Sequence, residues 1–565
     1  MSGFHSMCSL RFFRKPVLLF AAGLLVTALA GCGRRETPVV AGIRTQTLHQ
    51  GIRAEPTSLD PHQATQATDY HVFSALYEGL VAEDPVDLHP VPGVATRWDV
   101  SPDGLVYTFR LRADARWSNG APVTAGDFAE SIRRVLTPAF ACANAPLLYV
   151  LQGAQAYHQG KLDDFSQVGV RVIDDRTLRL TLEHPAPAFV SQLNHPVWFP
   201  VHRASIEAAA SPQGFADHAA RWAVPGTLVG NGPFVLSEVL SGQRITVTKS
   251  PTYWDAATVK LNAISFHPIE SLDAEERAFR GGQLHITDSI PVGRIDAWRR
   301  DQPESLRVDH PYLAVEFYRI NITRPFLNET KVRRALALAI DRATLAGQVL
   351  RGVQRPAATF TPDGIPGYAP PADAPAAFRY DPDAARKLLA DAGYPDGKGA
   401  PVVEILFNTS ETRRAVAETV QRMWQRELHI ESRLVNQEFG ATLQARTSGS
   451  YEVLRSSWTA DYADPMTFLD LFTSASANNF THWKNPAYDQ LVYRAQRTAD
   501  PAARAAFLRE AETLLLEATP VIPLWHYAHV FLIHPAVRGW HPTVLDHHPW
   551  KHVSLSASGS PGSAP

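Results

Sequence analysis

Stretches with a period of two alternate along this chain with stretches of period 3.6, and that alternation sets the fold class before any motif is considered. Residues 105–112 (LVYTFRLR) set large apolar side chains against polar ones, as a half-buried strand does. Asn119-Gly120 is a turn signal. Thr124-Ala-Gly-Asp127 reads as a capping box, with Phe128, Ile132 and Leu136 on one helical face. Val332, Leu336 and Ile340 predict a helix across 331–341 with one buried stripe. Asp381-Pro382 opens another helix with a cap and a first-turn proline, and Gly393 closes it. Residues 402–407 predict a buried strand, and Glu411–Leu428 a helix with Val416, Val420 and Trp424 inward. Strands alternating with helices argue for an α/β body with mixed sheets.

One apolar run concerns a membrane. Residues 1–15 carry Arg11, Arg14 and Lys15 and no acid, and residues 16–30 (PVLLFAAGLLVTALA) are uncharged. Fifteen helical residues span about 22 Å, short of the roughly 30 Å hydrocarbon core, so 1–31 reads as a signal peptide. Leu29-Ala30-Gly31-Cys32 matches the bacterial lipobox, in which the cysteine is lipidated and becomes the first mature residue. A lipidated Cys32 tethers the chain to a membrane face. Residues 32–48 read as a tether and 554–565 as a disordered Ser/Gly/Pro/Ala tail.

Composition excludes several classes. Lys+Arg is 54 against Asp+Glu 56, so no basic excess points to nucleic acid. The three cysteines, Cys8, Cys32 and Cys142, support neither a cysteine-based catalytic site nor a zinc framework. His-Glu-x-x-His, Gly-x-Ser-x-Gly, the P-loop and a Gly-x-Gly-x-x-Gly after a strand are all missing from the sequence. His547, His548 and His552 form the densest histidine group, in no metal-ligand spacing, and read as a solvated surface cluster. No cofactor and no metal are expected.

Several segments together resemble one family. They are Glu55-Pro-Thr-Ser-Leu-Asp-Pro-His62, Leu76-Tyr-Glu-Gly-Leu80, Tyr107-Thr-Phe-Arg-Leu-Arg112, Ala115-Arg-Trp-Ser-Asn-Gly120, Ser250-Pro-Thr-Tyr-Trp254, Val332-Arg333-Arg-Ala-Leu336, Val435-Asn-Gln-Glu438 and Trp458-Thr-Ala-Asp-Tyr462. In order and spacing, from about 49 to 553, they are similar to the oligopeptide-binding branch of the solute-binding proteins of ABC importers. The resemblance implies a type II periplasmic-binding-protein fold, two lobes closing on a cleft plus an extra third domain. Domain I is implied over 49–77, 202–312 and 530–553, domain II over 78–201 and domain III over 313–529. It implies a non-enzymatic monomer that binds short peptides as an extended strand and delivers them to permease and ATPase subunits. It would act on the periplasmic side of a bacterial membrane. Binding of a dipeptide, a murein peptide or a nickel chelate on the same fold, or a surface hydrolase, are the competing expectations.

The resemblance also carries site residues. Asp461 matches the partner of the peptide's α-ammonium. Without the family it would read as a loop aspartate capping a turn. Arg455 matches an arginine that meets the peptide carboxylate, which a guanidinium fork suits, and Arg446 matches an arginine near the cleft. Trp458, Thr459 and Ala460 fall on the ligand-pairing strand. The departures are as informative. Arg413 stands where relatives place a carboxylate-facing histidine, Arg319 where they place a cleft-wall glutamate, and Phe439 where they place a pocket tryptophan. Ala314 and Thr459 replace a cysteine pair of enteric relatives. The added arginines make the cleft more basic and favour acidic or murein-derived peptides.

Overall fold

The computed structural model describes residues 36–64, 69–209, 221–372 and 378–556. The signal peptide and Cys32 lie outside the described residues. Among those described, no helix is long and apolar enough to cross a membrane.

The helices that position the site are α1 (Pro38–Thr45), α2 (Ala125–Leu136), α3 (Thr330–Leu338), α4 (Pro382–Asp391), α5 (Glu411–Leu428) and α6 (Phe439–Ser448). The strands are β1 (Thr47–Ile52), β2 (Ala95–Val100), β3 (Val106–Leu111), β4 (Val170–Asp174), β5 (Thr177–Thr181), β6 (Phe234–Leu240), β7 (Arg244–Lys249), β8 (Ala263–Pro268), β9 (Ala314–Ile320), β10 (Arg355–Pro356), β11 (Val403–Asn408), β12 (Ser432–Gln437), β13 (Val453–Thr459) and β14 (Val521–His526). They build the three larger sheets, ordered β1-β8-β7-β6, β2-β3-β5-β4 and β10-β14-β9-β13-β11-β12; the other strands among the described residues form two-stranded pairs. The first and third are mixed: β1 runs parallel to β8, and β11 parallel to β12 and β13, among antiparallel neighbours. The fold is thus α/β of the kind the alternation requires.

Local chemistry accounts for most of these elements. Thr124 and Asp127 form a reciprocal capping box that starts α2, and Phe128, Ile132 and Leu136 are buried. Asp381 accepts from the Ala384 N–H to cap α4, and Gly393 takes the left-handed conformation just beyond its end. In α5, Val416, Val420 and Trp424 face the core, and the Trp424 indole donates to the Leu336 carbonyl at the end of α3. Helix α3 stops at Leu338, so Ile340 is buried from a turn rather than from the predicted helix.

Buried apolar side chains gather in three large clusters. One draws on residues 48–77, 199–286 and 531–555. A second draws on 80–198. The third draws on 313–545 and takes in Leu88 from the turn after Val81–Glu83. Chain order and spatial order therefore differ: the first cluster is assembled from three distant stretches.

The tether expected over 32–48 does not extend past Thr37. The Thr37 hydroxyl accepts from the Val40 N–H, Pro38 occupies the first turn of α1, and Val39 is buried. The Gln46 amide then donates to the Leu555 carbonyl at 2.7 Å. The tail expected over 554–565 does not take in Ser554–Leu555, which pair with Val537–Arg538; residues 557–565 lie outside the described residues. The histidine cluster is not a solvated surface throughout: His547 and His552 are part-exposed, but His548 is not. His548 is buried, stacks on Trp540 with ring centres 3.6 Å apart, and bonds Asp546 at 2.8 Å. Asp546 also meets His529 at 2.9 Å and His71 at 3.4 Å. Burial would lower the His529 pKa, but Asp546 and Asp288 hold it up, at about 9.

One buried ion pair ties the first two clusters together. Arg134 of α2 and Asp60 have 0% side-chain exposure, and the guanidinium bonds both carboxylate oxygens, at 3.1 and 2.5 Å. It also meets His62 Nδ1 at 2.8 Å and sits 4.0 Å from the Phe140 ring centre. Arg134→Met is expected to lose about 3–5 kcal/mol in denaturant unfolding, because it leaves Asp60 buried without a counter-charge. Adding Asp60→Asn should recover part of that loss.

Candidate functional site

Strand β13 is paired unequally on its two sides. Against β9 it is in register from Ala314↔Thr459 to Ile320↔Val453. Against β11 it meets only Val453 and Leu454, opposite Ile405 and Leu406. Beyond that point β11 continues with β12 as far as Asn408↔Gln437. Residues 455–459 therefore carry one free main-chain edge inside a six-stranded sheet.

That edge runs into a cavity of ≈ 400 Å³. Ser457, Trp458, Thr459, Ala460 and Asp461 line one side, and Tyr70, Asn144, His195 and His547 line the other. The facing wall is held rigidly: His547 stacks on Tyr70 with ring centres 3.6 Å apart and contacts Glu83 at 3.0 Å, and the Tyr70 hydroxyl donates to Glu83 at 3.0 Å. Sequence reasoning missed this wall, because its residues come from distant parts of the chain and carry no local motif.

Asp461 opens onto the cavity. Its carboxylate accepts from the Thr467 hydroxyl at 3.4 Å, its backbone N–H donates to that hydroxyl oxygen at 3.3 Å, and no cationic side chain among the described residues is in contact with it. The protein around the cavity wall pushes its pKa up to about 6, with Thr467 opposing. A carboxylate that faces the cavity with its charge unmatched by a neighbouring cation is poised to accept one.

The arginines divide into three situations. Arg455 lies in β13 with its fork closed on both oxygens of Glu316, and its Nη2 reaches the Tyr527 hydroxyl at 3.3 Å. Tyr527 donates to Glu316 at 2.7 Å. Burial opposes the charge on Arg455, but Glu316 outweighs it and raises its pKa. Among the described residues Arg413 has no such partner. It sits in the first turn of α5, where the helix dipole is unfavourable to a cation. Burial and then the neighbouring Arg455 lower its pKa, while Glu316 opposes the shift. Arg319 and Arg446 form a third group around Phe480. Arg319 is 3% exposed and lines none of the cavity just described. Phe439 is 58% exposed at the start of α6 and is absent from it too.

Sequence reasoning therefore assigned Arg455 to a ligand carboxylate without seeing Glu316, which stands 139 residues away in sequence. The signal was available only through register: Glu316 lies opposite Ser457 and Tyr318 opposite Arg455, so the pair is diagonal across two strands.

Residues 89–480 match the family described as bacterial extracellular solute-binding proteins, family 5 Middle. The chain belongs to that family. It is 34% identical to the periplasmic oligopeptide-binding protein OppA of Escherichia coli over 92% of this chain and 95% of that protein. Its fold is similar to the solved E. coli murein tripeptide binding protein MppA, with a TM-score of 0.78 at 32% identity, covering 90% of this chain and 98% of that one. It is also similar to Haemophilus influenzae OppA in complex with RPPGFSPFR, with a TM-score of 0.77 at 29% identity over 91% and 99% of the two chains. These neighbours carry the type II periplasmic-binding-protein fold. In this family member the Ala314 and Thr459 positions are direct cross-strand partners, and Cys142 is free and buried.

Asp461 makes a prediction for the ligand-free protein. Its folded pKa lies above the ordinary carboxylate value, so the stability linked to this group is present below about pH 4 and is lost as pH rises through about 6. Denaturant unfolding from pH 4 to 7 should show this loss in wild type and not in Asp461→Asn. A carboxyl resonance titrating near pH 6 should vanish in the same variant.

Proposed function

We propose that this protein is an extracytoplasmic receptor that takes a short peptide as an added strand along residues 455–459 and delivers it to an ABC import permease and its ATPase. It carries out no chemistry of its own. The observation that carries this reading is the free edge of β13 running into a cavity that ends at an unpaired carboxylate. Any peptide can satisfy such an edge, because the bonds are to main chain. Asp461 receives the α-ammonium and so fixes where the peptide starts. Arg413, whose guanidinium has no hydrogen-bond or ion-pair partner among the described residues, receives the carboxylate, while Glu316 keeps Arg455 as the fixed, neutralised neighbour beside it. Trp458, Thr459 and Ala460 border the first ligand residues. The relatives named above are peptide-binding proteins by name, which supports the same reading.

We also propose that Cys32 is the first mature residue and carries the lipid that holds the receptor on the periplasmic side of the membrane. The basic, apolar and lipobox regions of 1–32 support this. A single receptor chain then needs no partner copy to bind its ligand.

Two measurements check these assignments. In calorimetry, an unmodified tripeptide should bind about a hundred-fold or more tightly than its N-acetylated form, since an unpaired buried charge costs about 3–5 kcal/mol. Asp461→Asn should narrow that gap, and wild-type affinity should fall about tenfold between pH 7 and 5 as Asp461 protonates. Additive losses from acetylation and Asp461→Asn would remove Asp461 from the amine site. For the anchor, Cys32→Ser should leave the protein unprocessed or released in membrane fractionation. A variant that is still cut and still membrane-bound would rule out lipidation.

A further inference from the structure

Four imidazoles stand in a row across one face of the β1-β8-β7-β6 sheet. Leu48, Phe266, Ile286 and Ile533 belong to the first apolar cluster, and each is the chain neighbour of one of these histidines. Side chains alternate across a sheet, so His49, His267, His285 and His534 turn to the opposite face. Ile286 bridges to Gln50 of β1 on one side and to Ile533 on the other, which sets the order His534, His285, His49, His267. Successive ring centres are 6.1, 5.8 and 5.4 Å apart. Burial is the first cause that lowers the pKa of all four, to about 4 at His267 and about 3 at His285. At neutral pH the row is uncharged, which is the ligand form of histidine.

Two of the four are committed to the fold. His285 is buried beneath α1, where a Cβ added to Gly42 would stand 2.7 Å from its Cε1. Its Nδ1 accepts the His49 backbone N–H at 3.0 Å, and His534 Nδ1 accepts the Ala536 N–H at 3.1 Å. His49 and His267 differ. Both are half-buried, and His49 Nδ1 stands 3.1 Å from His267 Nε2. Among the described residues, their ring nitrogens bond only each other. Nitrogens bound to one ion at about 2.0–2.1 Å lie about 2.9 Å apart at a right angle and about 3.3 Å apart at the tetrahedral angle. The observed spacing falls between the two. Arg244, the cation that both rings feel, is held by Glu238 at 2.6 Å, so its charge is already matched. The two histidines are 218 residues apart in sequence, so no ligand spacing could announce them.

We propose that His49 Nδ1 and His267 Nε2 chelate a divalent first-row transition metal ion, with water completing its shell. Copper(II) binds most tightly and zinc(II) and nickel(II) less so, in the usual order for imidazole sites. In the metal-free protein one of the two facing nitrogens carries the proton that they share. On metal binding that proton moves to the far nitrogen of its own ring, so both rings stay neutral and none is released. Half-burial leaves the open side of the ion to water. The ion ties β1, the first strand after α1, to β8 through side chains as well as through the main chain. Neither histidine lines the cavity beside Asp461, so the site is independent of the peptide seat.

The test is comparative, because the chain holds 22 histidines. The full chain, without an affinity tag, is titrated with zinc chloride by calorimetry and loaded with one equivalent of copper(II) chloride for electron paramagnetic resonance. His49→Gln and His267→Gln should each weaken zinc binding about tenfold or more, since losing even an outer-shell partner costs about that much. Each should also lose nitrogen couplings from the copper spectrum. The exposed group of Asp84, Asp87 and His89, whose ligand atoms lie within 4.8 Å of one another, is the competitor, and His89→Gln should leave the tightest zinc affinity within about twofold of wild type. Equal affinities in wild type, His49→Gln and His267→Gln would reduce the pair to a plain hydrogen bond and overturn the site, as would a loss confined to His89→Gln. If a variant does not fold by circular dichroism, ring-nitrogen NMR of the wild type decides. Zinc shifts at His49 Nδ1 and His267 Nε2 that a chelator reverses keep the site, and shifts only at other histidines remove it.

Discussion

The site depends on a divergence between two strands. β11 and β13 stay together for two residue pairs and then separate, β11 following β12 and β13 following β9. An unpaired interior edge is ordinarily a liability, open to any extended chain that meets it. Here the walls of the surrounding clusters limit what can reach it. The same divergence makes room for the start of α5, and so places Arg413 beside Arg455 and Glu316 at one end of the gap. At the other end β13 runs out into Asp461. The geometry of a strand, at about 3.3 Å per residue, then fixes how far apart the two unmatched charges stand.

Charge along the cleft is graded rather than uniform. Past one end of the free edge stands Asp461, with no cation in contact among the described residues, and near the other stands Arg413, beside Arg455 and Glu316. Between them, Arg455 is cancelled by Glu316 and locked by Tyr527. Burying a matched pair beside an unmatched group is a way of holding the latter in place without competing for its ligand. It also explains why counting basic residues in the sequence overstates how positive the cleft is: of the arginines singled out there, one is already neutralised within the fold.

What could be read from sequence follows the range of the interactions concerned. The α2 capping box, the α4 cap and the full span of α5 rest on contacts within a few residues, and they stand where the periodicity put them. Failures arise where the deciding partner is remote. Helix α1 sits in a Gly/Arg/Thr/Pro segment of tether-like composition, and it is kept by Val39 burial and by Gln46 reaching Leu555, 509 residues on. His548 was placed at the surface because nothing near it in sequence shows Asp546 collecting His71 and His529. The resemblance singles out Asp461; that no cation among the described residues touches it could not be read from sequence, since that is a property of everything that packs around it.

The pairing of Ala314 with Thr459 has a consequence for the conditions this fold tolerates. The base of the binding strand is fixed by main-chain register alone, where a sulfur link would tie it to the redox poise of its surroundings. The free thiol among the described residues, Cys142, is buried, and burial lifts its pKa to about 11, so the reactive thiolate is scarce. Oxidants and reductants then have little purchase on this body. The base of β13 keeps one covalent form in an oxidising or a reducing medium alike.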